Sequence, residues 1–179
     1  DTHTHYFVTG EGTPLILVHG AANDAREWRF NLEPLSHQHR VYAPDMVGFG
    51  ESDKPDIDYS PHLFITFLYN FMQELHLEQA NLIGHSLGGA IVLGFALSFP
   101  QMVTRLVLVD SSGLDRRISM RARLLSPIYT LNARLREGKV ATILARRYGV
   151  TQPFDSPQRL TELRVPTLII WGAKDRILP

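Results

Sequence analysis

The chain has no cysteine, which excludes disulfides, a thiol nucleophile and thiolate-held metal sites. It has no net charge either: 18 basic residues balance 18 acidic ones. No overall field therefore draws it to nucleic acid or to an anionic membrane, and any electrostatic role is local. No apolar run reaches the ~20 residues of a membrane span, and the first residues show no basic-then-apolar leader. These absences make a cytoplasmic location the expectation, although the sequence opens at Asp1 and not at a methionine, which leaves the true N-terminus open. No histidine follows His85, and that absence bears on the chemistry below. At 179 residues the chain is long enough for one domain with a sizeable core and too short for two comfortable ones.

What is present is an alternation of short apolar runs with segments of helical length. His3 to Val8 reads as an edge or second strand, Leu15 to Val18 as a buried strand, Arg40 to Ala43 as a third, and Ala80 to Ile83 as a fourth. Leu106 to Val109 and Pro166 to Trp171 continue the series. Between them, Asn23 or Asp24 caps a predicted helix over Ala25 to Leu35, with Trp28 and Leu32 inward. Ser60 and Pro61 start another that runs to about His76. Its stripe of Phe64, Phe67, Leu68, Phe71, Met72 and Leu75 has helical spacing and predicts packing on a sheet, not an aromatic cofactor box. Strands alternating with helices imply a doubly wound, mostly parallel sheet with helices on both faces. Residues 1–110 and 164–179 form the core on this reading, and residues 111–163, arginine-rich and without strand-like runs, form a helical cap or lid insertion.

The chemistry concentrates at Gly84-His85-Ser86-Leu87-Gly88-Gly89, between the fourth strand and the nearly continuous apolar run from Ala90 to Phe99. A turn this tight needs glycines at Gly84 and Gly88, where side chains would collide, and it lifts the Ser86 hydroxyl clear of the sheet. The helix that follows places free N–H groups and its positive dipole end beside that hydroxyl. Leu87 N–H is the first such donor.

Four motifs in order now resemble the α/β-hydrolase fold, in its serine-nucleophile branch of esterases, lipases and C–C hydrolases. They are the His19-Gly20 turn after a buried strand, the Pro44-Asp45 to Ser52 loop, the Gly84 to Gly89 elbow, and the strand followed by Gly172-Ala173-Lys174-Asp175. The resemblance implies Ser86 as catalytic nucleophile, Ala21 and Leu87 N–H groups as the oxyanion hole, and Asp175 as the triad acid, with Asp110 as the alternative acid. It makes His19 and His85 structural hydrogen-bonders and not general bases. Serine at position 86 argues against relatives resembling haloalkane dehalogenases and epoxide hydrolases, which use a carboxylate nucleophile. No metal or organic cofactor is implied. The substrate is a small acyl or carbonyl compound, an ester or thioester cleaved through an acyl-enzyme on Ser86. C–C bond hydrolysis within the same fold is the alternative, and a non-catalytic binding protein that has lost the catalytic histidine is the rival from another class.

The pattern breaks at the third triad member, a histidine that follows the acid in this family. None of His3, His5, His37, His39, His62 or His76 sits in a matching motif, so the expectation is that the 179 residues belong to a longer enzyme, with part of the cap and the C-terminal part of the fold missing. The cap segment carries Arg116, Arg117, Arg121, Arg123, Arg134, Arg136, Lys139, Arg146 and Arg147 against Asp115 and Glu137. A solvated lid face is the commoner reason for such charge, and contact with a membrane surface or an anionic substrate is the other.

Overall fold

The computed structural model describes residues 2–114 and 157–175. Six strands form one sheet in the order β1-β3-β2-β4-β5-β6, where β1 is Tyr6–Thr9, β2 Thr13–Val18, β3 His39–Pro44, β4 Ala80–His85, β5 Val103–Val109 and β6 Thr167–Ile170. Only β1 runs antiparallel to its neighbour β3, and every other pairing is parallel. The expected doubly wound, mostly parallel sheet is therefore the observed one. Residues 115–156, which hold most of the expected cap and nine of its ten basic residues, lie outside the described residues. The end of that segment, Pro157–Glu162, is a 3-10 helix.

Alternation along the central strands builds two separate cores, because successive side chains of a strand point to opposite faces. Ile16, Val18 and Tyr42 join Phe64, Leu68, Phe71, Met72, Leu82, Ile91 and Phe95 in the larger cluster. Leu15, Leu17, Val41 and Ala43 join Ala25 and Trp28 in the smaller one. The first face is covered by helix α2, Pro61–Glu74, and helix α3, Leu87–Ser98; the second is covered by a 3-10 helix, Ala25–Trp28, and helix α1, Leu32–Ser36. Each fully buried Phe, Leu, Ile or Met of this kind contributes about 1.5–3 kcal/mol. β6 closes the described sheet as an edge whose Leu168, Ile169 and Ile170 stay about half exposed.

Helix α2 begins as its sequence predicts. The Ser60 hydroxyl accepts from Leu63 N–H at 3.2 Å, and Pro61 occupies the first turn. It ends two residues early, at Glu74, where Leu75 caps the chain and His76 turns left-handed at φ 54°. Phe64, Leu68, Phe71 and Met72 are buried, and Phe67 and Leu75 are partly so.

The predicted helix over Ala25 to Leu35 is wrong as a single element: it is the 3-10 helix and α1 with a break across residues 29–31. Pro34 is the physical reason. A continuous helix would put its ring against the carbonyl of Phe30 and would lose one ladder hydrogen bond, so the chain restarts and leaves Phe30 76% exposed. Of the two candidate caps, Asp24 is used, its side chain accepting from Arg26 N–H at 2.9 Å. The first strand also starts later than expected, at Tyr6. Residues 3–5 instead run along the loop after β3: His3 N–H donates to Asp53 at 2.7 Å, and His5 N–H to the Ser52 hydroxyl at 3.0 Å.

That loop is organised by Asp45, which is 2% exposed. One carboxylate oxygen accepts from Ala25 N–H at 2.6 Å; the other accepts from Glu51 N–H at 2.8 Å and lies 2.9 Å from His5 Nδ1. The carboxylate approaches Gly50, at φ +52°, so closely that any side chain there would overlap it. Hydrogen bonds to a buried charge are worth about 1.5–3 kcal/mol each, and the partners left behind add their own desolvation penalty. Asp45→Ala is expected to lower unfolding free energy in urea by at least about 3 kcal/mol, and Asp45→Asn by less, because the amide keeps one acceptor oxygen. Equal losses for both would show that the one acceptor kept by the amide contributes nothing without the other.

Candidate active site

Strand order reverses at β2, whose successor β3 lies on one side and β4 on the other. Crevices open at the carboxyl ends of strands at such a point. The chain leaving β2 there is His19-Gly20-Ala21, and the chain leaving β4 is Ser86.

Ser86 sits between β4 and α3 at φ 52°, ψ −115°, a conformation that non-glycine residues rarely adopt. The turn closes because its neighbours have no side chains. A Cβ on Gly84 would overlap the Gly88 carbonyl, one on Gly88 would overlap the carbonyls of Val18 and His19, and one on Gly89 would overlap Ser111. The backbone of Ser86 is pinned on both sides. Its N–H donates to Val109 O at 3.0 Å, and its carbonyl accepts from Ser112 N–H at 3.0 Å and Ser112 Oγ at 3.0 Å.

The candidate oxyanion donors flank this serine. Leu87 is the first residue of α3, so its N–H has no carbonyl within the helix to bond. On the other side the Gly20–Ala21 turn runs so close that a Cβ built on Gly20 would lie 3.3 Å from Ser86 Cβ and 3.1 Å from His85 Nδ1. The structure thus places Gly20, which precedes Ala21, against Ser86, which precedes Leu87.

Both candidate acids lie at neighbouring strand ends. Asp110 follows β5 at φ 40°, and its carboxylate accepts from Gly172 N–H at 2.7 Å. Asp175 closes the turn after β6, its N–H donating to Gly172 O at 2.9 Å. A Cβ built on Gly172 would lie 3.6 Å from Asp110 Oδ1 and 3.8 Å from Asp175 Cβ. After Glu27, whose effect is larger, both carboxylates help to raise the His85 pKa.

The pKa values of the site's two histidines are shifted in opposite directions. His19 is fully buried; its Nε2 accepts from Met46 N–H at 3.0 Å, so its Nδ1 carries the proton and lies 2.8 Å from Gly20 O as donor. Burial lowers its pKa below 6.5. His85 lies with Nδ1 2.5 Å from Glu27 Oε1, outside the alignment of a directed N–H···O bond and therefore best described as an ion pair. The Glu27 carboxylate raises its pKa above 6.5. Burial alone would raise the Glu27 carboxyl, but His85 and the Gly20 N–H together hold it below 4.5. His19, His85 and His5, whose ring faces Asp45, are thus each engaged away from the Ser86 hydroxyl.

Sequence reasoning missed Glu27 and Ser112, and it named Asp45 only as part of a loop motif without its partners. Glu27 reaches back to Gly20, and Ser112 reaches Ser86 across 26 residues; a carboxylate or hydroxyl that serves backbone N–H groups of a distant turn leaves no spacing to read. Among the described residues no group of three or more His, Asp or Glu side chains converges to hold a metal, and no helix is long and apolar enough to cross a membrane.

Comparison with known proteins agrees with the fold. The sequence model of a family described as alpha/beta hydrolase fold matches residues 13–127. An uncharacterized protein of Mycobacterium tuberculosis is 35% identical over 119 residues, which span 66% of this chain and 35% of that protein. The 2-hydroxy-6-oxo-6-(2'-aminophenyl)hexa-2,4-dienoic acid hydrolase of Metapseudomonas resinovorans is 29% identical over 214 residues, spanning 98% of this chain and 72% of the relative. Among solved structures, the meta-cleavage product hydrolase CumD of Pseudomonas fluorescens IP01 superposes with a TM-score of 0.78 at 29% identity, covering 99% of this chain and 79% of that one.

Two measurements check the site's electrostatics and its strain. Near pH 6.5, nitrogen-detected NMR of the imidazoles is expected to find His19 neutral and His85 doubly protonated; the reverse order would contradict the arrangement. Since the His19 pKa falls on folding, its contribution to stability is intact above 6.5 and is lost as pH drops through the folded value. For His85 the sign is opposite: with Glu27 lowered below 4.5, the ion pair stabilises fully between 4.5 and 6.5 and weakens as pH rises through the folded His85 value. Ser86→Gly, which removes the side chain from a left-handed position, is expected to raise unfolding free energy by about 1 kcal/mol, whereas Ser86→Ala leaves it near wild type.

Proposed function

Because this chain belongs to the alpha/beta hydrolase fold family, we propose that it is a hydrolase whose Ser86 attacks an activated carbonyl carbon, that of an ester or thioester. The observation that carries the reading is the Ser86 conformation at the head of α3, with the Gly20–Ala21 turn alongside. In this reading the Ser86 Oγ adds to the carbonyl as its proton passes to a histidine base. The Ala21 and Leu87 N–H groups receive the developing oxyanion, each worth about 3–4 kcal/mol to the transition state. Collapse expels the alcohol or thiol, which takes the proton from the base, and water then hydrolyses the acyl-serine by the same route. Asp175 orients the base and stabilises its charged form. His19 and His85 are committed elsewhere and are not that base. No metal or organic cofactor enters.

A second reading, hydrolysis of a carbon–carbon bond in a small dienoate-type diketone, is favoured by the names of the Metapseudomonas and Pseudomonas relatives. The Ser86 pocket serves it unchanged, because the attacked atom is again a carbonyl carbon.

The test is labelling of the full-length protein with a fluorophosphonate. A single adduct, absent in Ser86→Ala, is the expected result, and no adduct on the wild type would sink the reading. Asp175→Asn is expected to slow turnover of p-nitrophenyl acetate by roughly 10⁴-fold, the loss typical of a triad acid, and Asp110→Asn far less; the opposite ranking would transfer the role to Asp110. Turnover of a 2-hydroxy-6-oxo-2,4-dienoate at least ten times faster than that of the ester, on this scale of about 1.4 kcal/mol per decade, would favour the second reading.

A further inference from the structure

One carboxylate spans the gap between the two sides of the oxyanion pocket. Glu27 Oε2 accepts from Gly20 N–H at 2.8 Å, while Glu27 Oε1 lies 2.5 Å from His85 Nδ1. Gly20 immediately precedes Ala21, and His85 immediately precedes Ser86 and Leu87. The same side chain therefore grips the chain one residue before each of the two turns that carry the candidate donors. Nothing else described joins these turns through side chains, and the donors themselves are main-chain groups with no rotamer of their own to correct an error.

The grip is firm because Glu27 is itself held. It belongs to the 3-10 helix Ala25–Trp28, whose Ala25 and Trp28 are buried in the smaller core. The start of that helix is fixed by Asp24, through its cap to Arg26 N–H, and by Asp45, through Ala25 N–H. The Glu27 side chain is only 16% exposed, so water competes weakly for the pair. The Gly20 turn already approaches His85 and Ser86 to the limit that a glycine allows, so a carboxylate pulling both turns inward acts against a hard contact and leaves one preferred separation.

We propose that Glu27 is a positioning residue for the oxyanion pocket, which sets the distance between the Ala21 and Leu87 N–H groups by holding Gly20 and His85 at once. The inference rests on the function proposed above and adds to it a residue that touches no substrate. A merely structural glutamate would change how much protein is folded; a positioning glutamate changes the turnover of each folded site.

The experiment uses the full-length protein and p-nitrophenyl acetate, with active sites counted by fluorophosphonate. Glu27→Ala is expected to lower kcat per labelled site by about 10²-fold, in the range of one lost oxyanion donor, with KM changed by no more than about two-fold. Glu27→Gln, which keeps an acceptor for Gly20 N–H, is expected to recover about ten-fold of that loss. The NMR order parameters of the Gly20 and Ala21 N–H groups fall in Glu27→Ala. A kcat per labelled site within about two-fold of wild type in Glu27→Ala overturns the proposal, as does a loss that appears only in the labelled fraction. If the wild type takes no label, the function fails and the tether is judged on the order parameters alone: unchanged values at Gly20 and Ala21 overturn it, and lowered values support it.

Discussion

The start of α3 lies against the end of β2 with no room for a side chain between them: a Cβ on Gly88 would overlap the carbonyl oxygens of Val18 and His19. The rest of the site follows from that approach. Because the helix comes so near, Gly84 must also lack a side chain, since its own Cβ would meet the Gly88 carbonyl. Because the strand-to-helix turn is then only as long as Ser86, that residue takes the left-handed conformation that lifts its hydroxyl from the sheet. The helix N-terminus, the end of β2 and the serine come together through backbone packing before any catalytic side chain is placed.

Charge in the structure is spent mostly on backbone. Asp45 holds Ala25 and Glu51 N–H groups, Glu27 holds Gly20, and Asp110 holds Gly172. In each case a carboxylate fixes a loop that leaves the carboxyl end of a strand or folds over it. This division suits a pocket whose candidate electrophilic groups are main-chain donors, because such donors can be moved only by moving a loop. It also explains why the site's two histidines differ. His19 bridges two main-chain groups and must be neutral to accept from Met46, whereas the Glu27 carboxylate beside His85 raises its pKa.

The strands and the elbow were legible because each is written in contiguous sequence. A short apolar run bounded by turn residues marks a buried strand, and glycines flanking a serine mark the tight turn. The break within Ala25 to Leu35 was legible in principle through Pro34, but the caps at Asn23 and Asp24 and the inward Trp28 and Leu32 all argue locally for a continuous helix. The contacts of Glu27 and Asp45 were not legible, although Asp45 itself stood in a recognisable loop motif. Their partners are N–H groups of turns, which every residue but proline has, so no residue type at any spacing announces the contact. Ser112 is hidden for the same reason. What a sequence conceals most completely is a side chain that serves the main chain of a distant loop.

The strain at Ser86 shows why such hidden contacts matter. A non-glycine residue in this conformation costs of order 1–3 kcal/mol and persists only when its surroundings determine it from several directions. Here the Ser86 N–H is bound by Val109, and the Ser86 carbonyl by Ser112 N–H, Ser112 Oγ and Ala90 N–H. At a net of about 0.5–1.5 kcal/mol for each hydrogen bond, these together match or exceed the strain. The helix of which Ser86 is the cap adds the buried apolar face of Ile91, Val92 and Phe95. Relaxing the serine would therefore break bonds at the ends of β4, β5 and α3 together, and its strained conformation is as stable as the junction of those three elements.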